Sequence, residues 1–280
     1  MTEGWGNDMR RIVGKSLSNH YQAFGTGLGV TMLLQSSSAT ALLTSSFSGQ
    51  GLLTAGSALA IILGADVGTA LVAQILTFDL SALSPTLVAV GVGLFSYSKG
   101  GRSKEAGRLM LGIGMMLLAL KLILAASIPM RGSVIIQQIF LALGQDLILA
   151  VVFAAILAWA AHSSLATVLL IITLSSTSAL DVSVAFALIL GANIGGALPP
   201  FIATLGANRS ARQPPLGNLL FRICGVAICL PFTEVIAQLL SSWDVGQARQ
   251  IANFHLFFNI VLVLLFFPLI NTMARLTARL

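Results

Sequence analysis

Gln35-Ser36-Ser37-Ser38-Ala39-Thr40, set inside a run of apolar residues, has a counterpart 127 positions later in His162-Ser163-Ser164-Leu165-Ala166-Thr167. A second pair keeps the same offset, Gly64-Ala65-Asp66-Val67-Gly68-Thr69 answering to Gly191-Ala192-Asn193-Ile194-Gly195-Gly196. Ala60–Leu71 and Ala187–Leu198 agree at eight of twelve positions without a gap, and 35–43 and 162–170 at six of nine. Small-residue helices resemble one another by chance, but two matches at one offset make a duplicated unit. Gly, Ser and Thr clusters that interrupt apolar segments at matching places in two halves point to broken helices around a mid-membrane site, the arrangement of secondary transporters.

The rest of the chain agrees. It has 280 residues, 56% of them hydrophobic and 9% charged, with a mean hydropathy of +0.95, whereas soluble domains carry about 25% charged residues. Apolar windows such as 147–161, 182–190, 216–230 and 257–269 recur along the whole length, so a single integral membrane domain, 1–280, is expected. The formal charge of +6 does not indicate a nucleic-acid partner, because Lys and Arg cluster in short loops and at the two ends, which is how topology is written. Cys224 and Cys229 share one apolar stretch, without a CxxC or a His cluster. They imply neither a disulfide nor a transition-metal site and are expected to be packing residues. Met1–Lys15 is polar and lacks the apolar core of a cleavable signal.

Loop charge orients the halves. Lys99, Arg102, Lys104 and Arg108 form one basic loop and Arg209 and Arg212 another, while 79–84 and 241–250 are sparsely basic. By the positive-inside rule the basic loops face the cytoplasm. The basic loop of one half takes the place of a sparse loop in the other, so the repeats are expected to be inverted. The expected fold is all-α: repeat 1 over about 20–126, a connector over about 127–146, and repeat 2 over about 147–273. Each repeat opens with a re-entrant hairpin, at 22–48 and 149–175. About six spanning helices are expected, at 52–78, 85–98, 107–126, 183–206, 216–236 and 251–273. Arg10, Arg11, Lys15, Arg275 and Arg279 then place both termini in the cytoplasm, with only Arg131 and Arg249 outside. The stretch 134–144 reads as an interfacial connector.

A helix can break in a bilayer only where protein or an aqueous cavity satisfies its N–H and C=O groups. A half-helix N-terminus presents free N–H groups and about half a positive charge, and serine hydroxyls add donors. Ser36, Ser37 and Ser38 facing Ser163 and Ser164 could thus hold a phosphate-sized anion without Lys or Arg. Gln35, Thr40, Asp66 and Asn193 bring the hard oxygens a sodium ion accepts, and a cation beside the anion offsets repulsion at low dielectric. Asp66 is the sharpest signal, since a mid-span carboxylate costs roughly 2.5–3.5 kcal/mol. His162 stands at the position of Gln35 as a modulator or a packing histidine.

Structural readings compete with these. Ser/Thr runs bond to their own backbone, and Gly64–Gly68 or Gly191–Gly195 spacing also marks tight helix packing. Lys121 and Arg222 read as snorkelling side chains. His255 and Asn259 share one helical face as an interhelical hydrogen-bonding pair, and Trp5, Trp159 and Trp243 read as interfacial anchors.

At Gln35-Ser36-Ser37-Ser38-Ala39-Thr40, Gly64-Ala65-Asp66-Val67-Gly68-Thr69 and their second copies, the chain resembles the type II sodium/phosphate cotransporter family, from about residue 20 to the C-terminus. The resemblance implies phosphate at Ser36, Ser37, Ser38, Ser163 and Ser164, and sodium at Gln35, Asp66, Thr69 and Asn193. The chain departs from it at His162 and Leu165, where relatives usually have Gln and a third Ser. It departs again at Gly196-Ala197-Leu198-Pro199-Pro200, where relatives tend to have threonines. A preceding apolar segment and a following helical domain, common in relatives, are not in this sequence, which suggests a trimmed or minimal form. The function so implied is sodium-coupled transport of inorganic phosphate by alternating access, in a bacterial inner membrane. No cofactor is expected beyond sodium as the coupling ion, and no covalent chemistry, since the chain has no GxxxxGK[ST] and His162-Ser163 make a poor dyad. Transport of another small anion, export, or an anion channel are the alternatives. Phosphate, sodium and lipid are the expected partners; the oligomeric state is open, with a dimer one expectation.

Overall fold

The computed structural model describes residues 19–78, 83–98, 101–129, 133–175, 180–242 and 246–279. Among them every regular element is helical. In chain order these are α1 (His20–Leu34), α2 (Ser37–Gly49), α3 (Ala55–Leu76), α4 (Leu83–Tyr97), α5 (Gly101–Ser127), α6 (Val134–Gln145) and α7 (Leu147–Ala160). There follow α8 (Ser164–Ser175), α9 (Val182–Ala203), α10 (Arg209–Cys229), a 3-10 turn at Leu230–Phe232, α11 (Thr233–Ser241), α12 (Gln247–Phe266) and α13 (Ile270–Thr277). So apolar a chain, placed where water cannot satisfy its backbone, can pair its N–H and C=O groups within each segment only as helix.

The element boundaries carry the offset seen in the sequence. α1, α2 and α3 begin at His20, Ser37 and Ala55, and α7, α8 and α9 begin at Leu147, Ser164 and Val182, each 127 residues further on. The capping residues follow suit as Asn19 and Asp146, Ser36 and Ser163, and Thr54 and Asp181, each accepting from a first-turn N–H. Asn, Asp, Ser and Thr are the types whose short side-chain oxygen reaches N2 or N3, so six helix starts are set by six local residues.

The glycine spacing is a packing device. A Cβ on Gly64 would lie 2.0 Å from Phe24 O, and one on Gly191 2.1 Å from Val151 O. Gly68 stands in the same way against Leu28 O, and Gly195 against Ala155 O, at 2.8 and 2.2 Å. The four backbone partners are themselves 127 apart in pairs, so α1 docks on α3 as α7 docks on α9. Only glycine lets the helices approach this closely.

α3 and α9 form the centre, with 78% of their apolar windows buried. α2 packs on α9 and α10, and α8 on α3 and α12, so each short helix crosses to the other half's long one. This exchange sets the two helix breaks face to face. Phe186 of α9 stacks on Phe254 of α12 at 4.0 Å, and Phe221 of α10 on Phe266 of α12 at 4.5 Å.

Four helical stretches among the described residues are long and apolar enough to cross a membrane, namely Ala55–Leu76, Val182–Ala203, Arg209–Ser241 and Gln247–Phe266. Six were expected. The span expected at 85–98 is the 15-residue α4, which at about 1.5 Å per residue falls short of a hydrocarbon core of about 30 Å. The span expected at 107–126 lies within the 27-residue α5, which pairs with α4. The connector contains α6, whose Val134, Ile135 and Leu141 are exposed while Phe140 and Leu143 are buried. Cys224 is exposed on α10 rather than packed inside. Lys121 and Trp159 are exposed as expected. Trp5, Trp243, Asp79, Lys99, Arg131 and the segment with Arg10, Arg11 and Lys15 lie outside the described residues.

One cap ties two elements. Asn208 Oδ1 accepts from Ala211 N at 3.0 Å to start α10, and its Nδ2 donates to Gly49 O at 2.9 Å at the end of α2. Asn208→Ala is expected to cost about 1–2 kcal/mol, a fall in melting temperature of about 2–4 °C in detergent. An unchanged transition would show the cap to be dispensable.

Candidate functional site

The site begins with two backbone conformations. α1 stops at Leu34 because Gln35 adopts φ 52° and ψ 28°, its N–H bonding back to Thr31 O. His162 adopts φ 51° after α7, and these two are the only non-glycine residues with positive φ among those described. A side chain in this region costs roughly 1–2 kcal/mol, so the surrounding packing must hold both turns. Each turn places the C-terminal end of one short helix against the N-terminal end of the next.

Gln35, Ser36, Ser37, Ser38, Thr69, His162, Ser163, Ser164 and Leu165 line one cleft. The sequence-predicted phosphate residues are therefore all brought together. Ser36 Oγ accepts from Ala39 N and Ser163 Oγ from Ala166 N, each at 3.1 Å. The N–H groups of Ser37, Ser38, Ser164 and Leu165, in the first turns of α2 and α8, have no partner inside their helices. With the hydroxyls of Ser37 and Ser164, both buried, they give an uncharged donor set flanked by two positive helix ends. No Lys or Arg among the described residues lines the cleft. Its open core is about 10 Å³, room for roughly one water.

Cation-type acceptors stand beside these donors. Gln35 Oε1 is buried without a donor, next to the last carbonyls of α1, which a helix C-terminus leaves unpaired. Thr69 Oγ1 donates to Ala65 O at 3.2 Å and keeps its lone pairs. Thr40 stands behind the cleft instead, accepting from Thr31 Oγ1 at 2.7 Å and donating to Ser36 O at 3.1 Å, where it braces the turn.

The two halves are not equal. Ser38 Oγ donates to Gly196 O at 3.2 Å. That carbonyl is free to accept because residue 200, one turn on, is a proline without an N–H. Pro199 and Pro200, which the sequence marked only as departures, thus open the α9 backbone toward α2. Gly196 sits where the first half has Thr69, and a Cβ there would lie 2.7 Å from Ser164 Cβ. The departure from threonine has a steric reason.

Asp66 and Asn193 are not in the cleft lining. Asp66 is buried, and Arg222 Nε donates to its Oδ2 at 3.2 Å while Nη2 donates to Oδ1. Arg222 Nη1 donates to the backbone O of Asn193. Arg222 is 2% exposed, so the expected snorkelling does not occur: a bidentate carboxylate inside the protein is the better partner. Asn193 Nδ2 donates to Ile189 O at 2.9 Å, and Asn259 Nδ2 donates to Asn193 Oδ1 at 3.3 Å and to His255 O at 2.8 Å. Of the pair expected at His255 and Asn259, Asn259 makes the interhelical bond, while His255 enters only through its backbone carbonyl and its buried Nδ1 has no partner.

Sequence reasoning missed Arg222, and the backbone N–H that Leu165 contributes in spite of its apolar side chain. A signal for Arg222 was present. It lies thirteen residues inside α10, about 20 Å from the helix start, beyond the reach of a snorkelling side chain.

These features define a multi-pass helical membrane protein in which two serine-capped helix tips from duplicated units share one cleft. Residues 1–125 match the family model described as Na+/Pi-cotransporter. It is 41% identical over 271 residues, 97% of its length, to the Escherichia coli K12 protein named "Putative inorganic phosphate export protein YjbB". It is 41% identical over 275 residues to the protein of that name in Salmonella typhimurium. It is also 26% identical over 259 residues to YqeW of Bacillus subtilis, covering 83% of that uncharacterized protein. The chain spans about half the length of the YjbB proteins it matches. No solved structure matches it.

Proposed function

We propose that this chain forms a translocation pathway for inorganic phosphate, carried between the serine-bearing tips of α2 and α8. The observation that carries the reading is the cleft itself, where Ser37, Ser38, Ser164 and the free N–H groups of two helix starts converge without a lysine or arginine among the described residues. Phosphate as the anion is supported by the family-model match over residues 1–125 and by the phosphate-export name of the YjbB relatives.

Sodium is the coupling ion in this reading. Gln35 Oε1, Thr69 and the end carbonyls of α1 supply its oxygens, close enough to the anion for each charge to lower the other's desolvation cost. The α1–α2 and α7–α8 pairs act as re-entrant hairpins, since helices of 12–15 residues reach only about 18–22 Å. Their opposite loop charges make the repeats, about 20–126 and 147–273, inverted, with both termini cytoplasmic in a bacterial inner membrane. The cleft is too small for phosphate as it stands, so loading requires the tips to part, and alternating access follows from which side parts. The chemistry is binding and release, with no covalent step and no enzyme activity.

Radiolabelled phosphate uptake into proteoliposomes tests this. Ser37→Ala and Ser164→Ala leave both N-caps intact and are each expected to lower flux at limiting phosphate at least about tenfold, by about 1.4 kcal/mol of lost anion stabilisation. Choline in place of sodium is expected to lower flux in the parent. Undiminished uptake in both variants would sink the assignment. Export is the second reading, favoured by the relatives' name, and efflux from preloaded vesicles separates it from import.

A further inference from the structure

We propose that Arg222 is a resident cation. Its guanidinium permanently fills the oxygen site at Asp66 that would otherwise take a coupling sodium ion. The proposal rests on the phosphate reading above and concerns the same site.

Three oxygens at this point form a set suited to sodium: two from Asp66 and the main-chain carbonyl of Asn193. Hard carboxylate and amide oxygens are what such an ion accepts. Arg222 meets Asp66 with two N–H groups and Asn193 with a third. The guanidinium thus engages these oxygens, and the charge an ion would bring is already present.

The guanidinium also stands next to the anion cleft. A carbon placed on Gly196 would lie 2.9 Å from Ser164 Oγ and 3.3 Å from Arg222 Nη1, so both groups border the bare face of Gly196. Where the first half has Thr69, the second has a glycine that admits both. The pair joins α10 to α3 and α9, one long helix from each repeat. A tethered cation does not have to be loaded and released in each cycle, so Asp66 adds no sodium to the cycle.

The test is the melting temperature of the full chain in detergent, in sodium chloride against choline chloride, for the parent, R222Q, R222K and D66N/R222Q. R222Q exposes Asp66 to solvent ions and is expected to gain a sodium-dependent rise of about 3 °C or more over the parent's own response. R222K keeps a tethered charge and is expected to show no gain. D66N/R222Q, without either charge, is expected to show the parent's sodium response, whatever its size. Recovery of R222Q only when sodium is present throughout purification is the same result. R222Q that gains no sodium response, or cannot be recovered even in sodium, overturns the proposal, as does D66N/R222Q losing a sodium response that the parent has. Phosphate is added separately: a parent indifferent to phosphate, with no flux, removes the phosphate reading and leaves the Arg222 result standing.

Discussion

Gly64→Val is expected to detach α1 from α3, lowering stability by upward of about 3 kcal/mol, so that the protein is lost to aggregation or melts well below the parent in detergent. Even the first carbon of the new side chain would fall 2.0 Å from Phe24 O and 2.9 Å from its carbonyl carbon. These are backbone atoms of a helix, so no rotamer change relieves the overlap; the whole of α1 must shift. Overpacking in a core commonly costs about 1–3 kcal/mol where side chains can adjust, and here they cannot. Moving α1 also moves the turn at Gln35 and the start of α2, so the first tip is lost with it. Gly191→Val should do the same to α7 through Val151 O. By contrast Gly29→Val, which has open space, is expected to leave the melting temperature within about 2 °C of the parent. Equal behaviour of the Gly64 and Gly29 variants would show that close helix contact is not what the repeated glycines supply.

Asp66→Asn alone is expected to be about as damaging, at roughly 3–5 kcal/mol, because it leaves the guanidinium of Arg222 buried without its counter-charge. The asparagine keeps the shape but can accept with only one oxygen where two now serve Nε and Nη2. D66N/R222Q removes both charges together and is expected to recover most of the loss, since a neutral pair in the same space owes no ionic desolvation. Melting curves of the two single variants and the double close the cycle, and a coupling energy under about 0.5 kcal/mol would deny that the ion pair is a unit.

The ion pair bears on energetics as well as stability. Each sodium carried with an anion adds about 2.3 kcal/mol of driving force per 100 mV of membrane potential, besides its own concentration gradient. A site whose cation is fixed contributes none of this. On the reading proposed here the chain would hold a lower phosphate gradient than a protein loading sodium at the equivalent of Asp66.

Much of this protein was written locally. The all-helical class followed from apolar runs too long for a soluble domain. The duplication followed from two motifs at one spacing. The tips could be located because serine clusters inside apolar segments have few other uses. These readings succeed because secondary structure in an apolar medium is dictated by each segment's own need to pair its backbone.

Other features depended on which segments meet. That Gln35 and His162, rather than a glycine, would take the left-handed turns was decided by packing strong enough to offset the strain. That α2 would cross onto α9, and Ser38 find the carbonyl uncovered by Pro200, required both halves to be in place. Asp66 and Arg222 are 156 residues apart, and nothing near either one names the other. A sequence displays a charge's cost wherever it lies, but the partner that removes this cost is chosen in three dimensions, and so the carboxylate read as an ion ligand proved to hold an arginine.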